Sequence, residues 1–146
     1  MQVEVKIDAS YSEPKVIILT ASMTEAVNRI VSELSQSIPK IISGSKDGKI
    51  EVIAQDDLIR IYANTGKVFA VTSKGEYTVR FRLYEISERL DSEQFVRISN
   101  SEIVNLKKVK NFDLSFTGTI CVELTDGTKT YVSRRYVPKI KQILGI

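Results

Sequence analysis

The apolar positions of the chain change period twice. From Gln2 to Asp8 they alternate, with Val3, Val5 and Ile7 on one side, the two-residue period of a half-buried strand. Glu13-Pro14 breaks that run, and Val16 to Leu19 follow as a short, more buried strand. The spacing then becomes helical. Met23, Ala26, Val27, Ile30, Val31, Leu34 and Ile38 recur at intervals of three and four, one face of an amphipathic helix. Ser22 with Glu25 three residues later makes a capping box, and Pro39 closes the helix. A strand, a strand and a helix with one apolar face each cannot enclose a core. Residues 1–40 are therefore expected as an extension that packs on the rest of the chain or on another chain.

Beyond Pro39 the period of two returns, in short runs between turn residues. Lys49–Ile53, Ile59–Tyr62, Lys67–Thr72, Tyr77–Arg82, Ile103–Asn105, Phe112–Phe116, Thr119–Leu124 and Lys129–Ser133 are predicted strands. Lys46-Asp47-Gly48, Asn64-Thr65-Gly66, Ser73-Lys74-Gly75, Thr117-Gly118 and Asp126-Gly127 are predicted turns. Leu83, Ile86 and Leu90 mark one intervening helix, and Val137, Ile140, Ile143 and Leu144 a closing one. The expected class is mainly β (α+β), with a domain over residues 41–146.

Composition removes several kinds of chemistry. There is no histidine among the 146 residues, which excludes His-based triads and His-ligated metal sites. The single cysteine, Cys121, rules out an internal disulfide and fits a reducing cytoplasm. It lies opposite Ile120, Val122 and Leu124 with no base to activate it, so it reads as a structural thiol. Asp56-Asp57 reads as a solvated turn. Thr65-Gly66-Lys67 lacks the earlier glycine and the Ser/Thr of a phosphate-binding loop. The alternating start carries no secretory signal, and no apolar run is long enough for a membrane span. No enzyme chemistry, cofactor, metal or small-molecule substrate is expected.

Charge is distributed unevenly. Residues 96–146 hold nine Lys/Arg and four Asp/Glu, 9 − 4 = +5, whereas residues 1–95 hold twelve and fourteen, 12 − 14 = −2. Within the basic third, Ser133-Arg134-Arg135 stands at the entrance to the last helix, where the macrodipole favours anions. Two arginines there cost on the order of a few tenths of a kcal/mol unless an anion sits against them. Lys107-Lys108-Val109-Lys110 is a second cluster. Alone, such a run is a solvated face; beside Arg97 and the arginine pair it becomes a candidate phosphate surface.

Two longer patterns run through this stretch. Phe95, Arg97, Ser101, Ile103, Val104 and Asn105 form one; Asp126, Gly127, Val132, Ser133, Arg134, Arg135 and Tyr136 form the other. Together they resemble the signature of the LytTR family of bacterial DNA-binding domains, over roughly residues 41–146. Most LytTR domains follow a phosphorylatable receiver domain, for which residues 1–40 are too short. The chain is similar to the stand-alone LytTR regulators, in which a strand-strand-helix segment precedes the domain.

The resemblance implies a stack of small antiparallel sheets with a short C-terminal helix, reading DNA with loops in successive major grooves rather than with a recognition helix. It matches Asn100 to a major-groove reader whose amide can pair with adenine, and Arg135 to an arginine aimed at the minor groove. Lys67 matches the first loop. Arg97, Ser101, Tyr131, Ser133 and Lys139 match positions that approach phosphates and set register; Lys107, Lys108 and Arg134 join them as basic neighbours. Pro138 departs from the pattern and implies a late or bent last helix. Each assignment has a plainer reading: Asn100 can shape a turn, Arg134 and Arg135 can pair with Asp126 or Glu102, and Tyr131 can be core.

The expected function is a cytoplasmic, sequence-specific DNA-binding transcriptional regulator. It binds repeated half-sites as a homodimer and, like other stand-alone LytTR regulators, is restrained by a small membrane protein. The alternative is a protein-interaction module whose basic end is incidental.

Overall fold

The structure, a computed structural model, describes residues 1–35, 41–115 and 117–146. The chain divides into two compact units, Met1–Pro39 and Lys40–Ile146. In the first, the expected strands at residues 2–8 and 16–19 do not form. Val3, Val5 and Ile7 are 87%, 80% and 96% exposed. Alternation fixes only which side chains could share a face. A strand also needs a hydrogen-bonded neighbour for its backbone, and among the described residues these segments have none. The helix does form, as α1, Glu25–Ser35. Its cap is Thr24 rather than Ser22: the Thr24 Oγ1 accepts from the Val27 N–H at 3.3 Å. No residue of α1 is buried. Ile38 and Pro39, expected at its end, lie outside the described residues.

Among its described residues the second unit contains ten strands. They are β1 (Ile42–Lys46), β2 (Lys49–Ile53), β3 (Leu58–Asn64), β4 (Lys67–Thr72), β5 (Gly75–Val79), β6 (Phe95–Ser99), β7 (Glu102–Asn105), β8 (Val109–Asp113), β9 (Ile120–Leu124) and β10 (Lys129–Val132). Helix α2, Leu83–Arg89, follows β5, and α3, Val137–Leu144, closes the chain. Seven strands form one antiparallel sheet in the order β2-β1-β5-β4-β3-β7-β6; β10-β9-β8 form a second. The mainly β class and the stacked antiparallel sheets agree with the reading of the sequence. Two strands are additions to it. β6 forms at Phe95–Ser99, where no strand is predicted, and β1 has the sequence Ile-Ser-Gly-Ser-Lys, which reads as loop. The strand expected at Tyr77–Arg82 is β5, ending at Val79, and that expected at Phe112–Phe116 is β8, ending at Asp113; Phe116 lies outside the described residues.

Two apolar cores sit on opposite faces of the same three strands. Ile61, Ile103 and Phe95 face α2 with Leu83, Ile86 and Leu90. Ile59, Val104, Val96 and Ile98 face the small sheet and α3, with Ile120, Val122, Leu124, Val132 and Ile140. Strict alternation would not put Leu58 and Ile61 on one face. A register shift between Leu58 and Arg60 does so, and another between Arg97 and Ser99 re-aims β6. β3, β7 and β6 thus form a middle layer, and all four residues of β7 are buried.

Asn105 is fully buried at the end of β7. Its Nδ2 donates to the Leu58 carbonyl at 2.7 Å, and its Oδ1 accepts from the Lys107 N–H at 3.0 Å. This asparagine of the sequence pattern therefore ties β7 to β3 and to the turn beyond it. Pro138 falls in the first turn of α3, where no backbone bond is lost, so the helix starts at Val137 after a 3₁₀ turn at Arg134–Tyr136.

β1 is a strand because Gly44 lets its neighbour approach. A Cβ there would lie 2.6 Å from the Tyr77 Cβ, inside any real contact, and the tyrosine backbone cannot withdraw without opening β1 from β5. Gly44→Ala should lower stability by about 1–3 kcal/mol in a denaturant titration. An unchanged unfolding midpoint would mean that this close approach is not needed.

Candidate nucleic-acid interface

The sheet order sends three connections to one end of the second unit. β3 runs into the Asn64–Lys67 hairpin loop, β6 into the Ser99–Ser101 turn, and β10 into the 3₁₀ turn at Arg134–Tyr136. Backbone bonds tie them in series. The Ala63 N–H donates to the Ser101 carbonyl at 2.8 Å, and the Ser133 N–H donates to the Ile98 carbonyl at 2.9 Å. Lys67, Asn100 and Arg135 are thereby brought to one edge, each exposed.

Side chains reinforce the middle loop. The Arg97 guanidinium bridges two carbonyls, with Nε to Ser99 O at 3.1 Å and Nη2 to Asn100 O at 2.6 Å. Its fork therefore shapes the loop, beyond whatever its remaining N–H groups face. The Ser101 N–H bonds Ser99 Oγ at 3.2 Å, and the two hydroxyls lie 3.3 Å apart. The Tyr136 hydroxyl donates to Asn100 Oδ1 at 2.9 Å. Behind the loop, Glu102 is 8% exposed. It takes Arg60 Nη1 at 2.9 Å and the Thr130 hydroxyl at 2.6 Å. Glu102 is committed there, and among the described residues neither Arg134 nor Arg135 has an ion-pair partner. The pairing of these arginines with Asp126 or Glu102 does not occur.

The remaining candidates divide. Tyr131 on β10 is exposed, not core; Ser133 and Lys139 are exposed on either side of the 3₁₀ turn. Lys107 and Lys108 lie elsewhere, in a turn at the far end of β7 from Asn100, across four strand residues or roughly 13 Å. Lys107 Nζ is 3.6 Å from Asp56 Oδ1, which also accepts from Gln94 Nε2 at 2.9 Å. The Gln94 bond first, then the Lys107 charge, hold the Asp56 carboxyl below the usual range. Lys110 lies 3.8 Å from Glu123. The register adds one cation to this edge that the sequence does not single out. Arg80 follows β5 directly, and the Val68–Val79 register puts it across from Lys67. No spacing rule could find it, because the signal is a cross-strand register.

The loop at 64–67 carries strain. Thr65 has φ 48° and Gly66 φ 77°, the geometry of a two-residue hairpin turn. Glycine adopts it freely, but a β-branched residue there costs about 1–2 kcal/mol.

Comparison with known proteins gives a consistent result. The model of the family described as LytTr DNA-binding domain matches residues 48–145. An uncharacterized HTH-type transcriptional regulator of Staphylococcus aureus strain NCTC 8325 is 34% identical over 149 residues, covering 100% of this chain and 99% of its own. The corresponding protein of strain MRSA252 is 33% identical over the same span. Among solved structures, the LytTr DNA-binding domain of a Bacillus cereus protein described as a methyl-accepting/DNA response regulator shares the fold. Its TM-score is 0.69 at 19% identity, over 73% of this chain and 97% of that one. The relatives' names carry the term HTH, yet among the described residues of this chain no two α-helices are joined by a turn.

The strain at Thr65 has a measurable consequence. Asn tolerates positive φ, so Thr65→Asn should raise the thermal midpoint, by a stability gain of about 1 kcal/mol. A fall in the midpoint would show that Thr65 makes compensating contacts in the free protein.

Proposed function

The chain belongs to the LytTr DNA-binding domain family, and from that premise we propose how it acts as a DNA-binding transcription regulator. The Asn64–Lys67 and Ser99–Ser101 loops enter successive major grooves, and the turn at Arg134–Tyr136 carries Arg135 towards the minor groove between them. The observation that carries this reading is the serial tie among the three connections, Ala63 to Ser101 and Ile98 to Ser133. It makes three loops one rigid edge with cations and an amide on its rim. Asn100 reads an adenine through its amide. Lys67 and Arg135 supply the other base-edge contacts.

Arg134, Ser133, Tyr131, Lys139, Ser101, Arg97 and the added Arg80 face phosphates and fix register. Lys107 and Lys108, at the far end of β7, add to the positive field that draws the duplex in. The unpaired arginines before α3 fit the same reading, since a phosphate at that helix entrance would relieve their mutual repulsion.

Two copies act together in the cytoplasm, each on one of two repeated half-sites. Asn100, Lys67 and Arg135 offer about 1–3 kcal/mol of discrimination each, thin against the competing sites of a genome. A linked second copy multiplies it at high effective concentration. The α1 face of Val27, Ile30, Val31 and Leu34, with no residue buried, is the surface assigned to pairing. The first unit belongs to the shared protein, since the Staphylococcus aureus relatives match over its length too. A restraining membrane protein would compete for that face. This chain has, among the described residues, no helix long and apolar enough to cross a membrane itself.

Two measurements test this. Asn100→Ala should cost about 1–3 kcal/mol on a duplex selected from a random pool and much less on a scrambled duplex; equal losses on both would remove Asn100 from base reading. Inserting about half a helical turn, roughly 5 bp, between half-sites should abolish cooperative binding and leave weak single-site binding. Affinity indifferent to that insertion would contradict the paired arrangement.

A further inference from the structure

We propose that Tyr136 is a positioning residue for base recognition: its hydroxyl holds the Asn100 side chain in place before DNA arrives. This deepens the proposed function and rests on Asn100 reading a base. An asparagine amide presents an acceptor at one end and donors at the other, and a half-turn about its last torsion exchanges them at almost no change in shape. In an exposed loop the side chain can also swing away, and only one placement matches adenine.

Here the freedom is removed step by step. Arg97 fixes the backbone on both sides of the amide plane, holding the carbonyls of Ser99 at 3.1 Å and Asn100 at 2.6 Å. What is left is the side chain, and the Tyr136 hydroxyl donates to its Oδ1 at 2.9 Å. That tethers the carboxamide through its oxygen. Oδ1 keeps a second lone pair for a base amino group, and Nδ2 has no partner among the described residues, so both are available for the two bonds of adenine recognition.

The tyrosine is a firm anchor. Its ring packs against the core formed by Ile98, Val132 and Ile140, and its N–H bonds the Ser133 carbonyl at 2.9 Å. Because Ser133 is itself tied to Ile98, the hydroxyl and the amide it holds are referenced to the same rigid strand. Arg135, the adjacent residue, moves with them. Tyr136 therefore couples the major-groove reader on one element to the minor-groove candidate on another.

Tyr136→Phe keeps the ring and removes only the hydroxyl, so the unfolding midpoint should hardly move. Full-length wild type, Tyr136→Phe, Asn100→Ala and the double variant are titrated by anisotropy against a duplex selected from a random pool and a scrambled duplex of equal length. Tyr136→Phe should bind the selected duplex about three- to tenfold more weakly, the worth of one hydrogen bond. It should bind the scrambled duplex as wild type does, and add nothing to Asn100→Ala in the double variant. In the free protein, the Asn100 side-chain amide resonances should lose order in Tyr136→Phe. Wild-type affinity for the selected duplex, equal losses on both duplexes, or losses that multiply in the double variant would each overturn the proposal. If Asn100→Ala is specific while Tyr136→Phe is silent, only the role of Tyr136 fails. If Asn100→Ala loses equally on both duplexes, base reading by Asn100 fails and this role with it.

Discussion

Strands β3, β7 and β6 must satisfy two cores at once, and the remainder of the second unit follows from that. A strand buried on both faces cannot alternate polar and apolar side chains, so β7 reads Glu-Ile-Val-Asn with every residue buried. Its two polar members are then obliged to find partners inside. Asn105 takes the Leu58 carbonyl and the Lys107 N–H, and Glu102 takes Arg60 and Thr130. One pair of bonds clamps each end of the strand. The loop between β6 and β7 is left no slack, because both strands entering it are held by packing and by buried polar bonds.

That rigidity would favour binding at the proposed DNA-facing edge. A loop that must be ordered on binding spends interaction energy on its own conformational entropy. Here the Ser99–Ser101 turn is held by Arg97 and by Ala63, and the turn after β10 by Ile98. Backbone strain lies in the hairpin where a β-branched Thr65 takes a positive φ. The electrostatics agree in sign. Glu102, next to the turn, is buried and ion-paired with Arg60, while Arg134 and Arg135 have no ion-pair partner among the described residues.

Much of this was legible in the residues. The hairpin turns, most strands and both helices of the second unit follow from period and turn chemistry. The paired motifs around Arg97 and Arg135 named the family. What escaped has a common cause. β1 looks like a loop because its strand character depends on Gly44 meeting Tyr77, a contact 33 residues away in the chain. Asn105 looked like one more motif residue, and only its burial reveals a clamp. Arg97 reads as a phosphate-facing residue, and its added part in shaping the loop through Ser99 and Asn100 shows only once the turn is in place. Lys107 and Lys108 are close to Asn100 in sequence and far from it in space, since a whole strand intervenes. In residues 1–35 the failure ran the other way: alternation was present, but the hydrogen-bonded neighbour that makes a strand of it was not.

Asn64–Lys67, Ser99–Ser101 and Ser133–Tyr136 are proposed to act as one preassembled DNA-facing edge. Backbone amide shifts of the full chain, followed by NMR as a selected duplex is added, test it most directly. All three segments should respond together at the same DNA concentration. Amides near Asp56, Lys107 and Gly127, at the opposite ends of the same strands, should stay in place. Responses centred on the Lys107–Lys110 end, or three segments that respond independently, would contradict it.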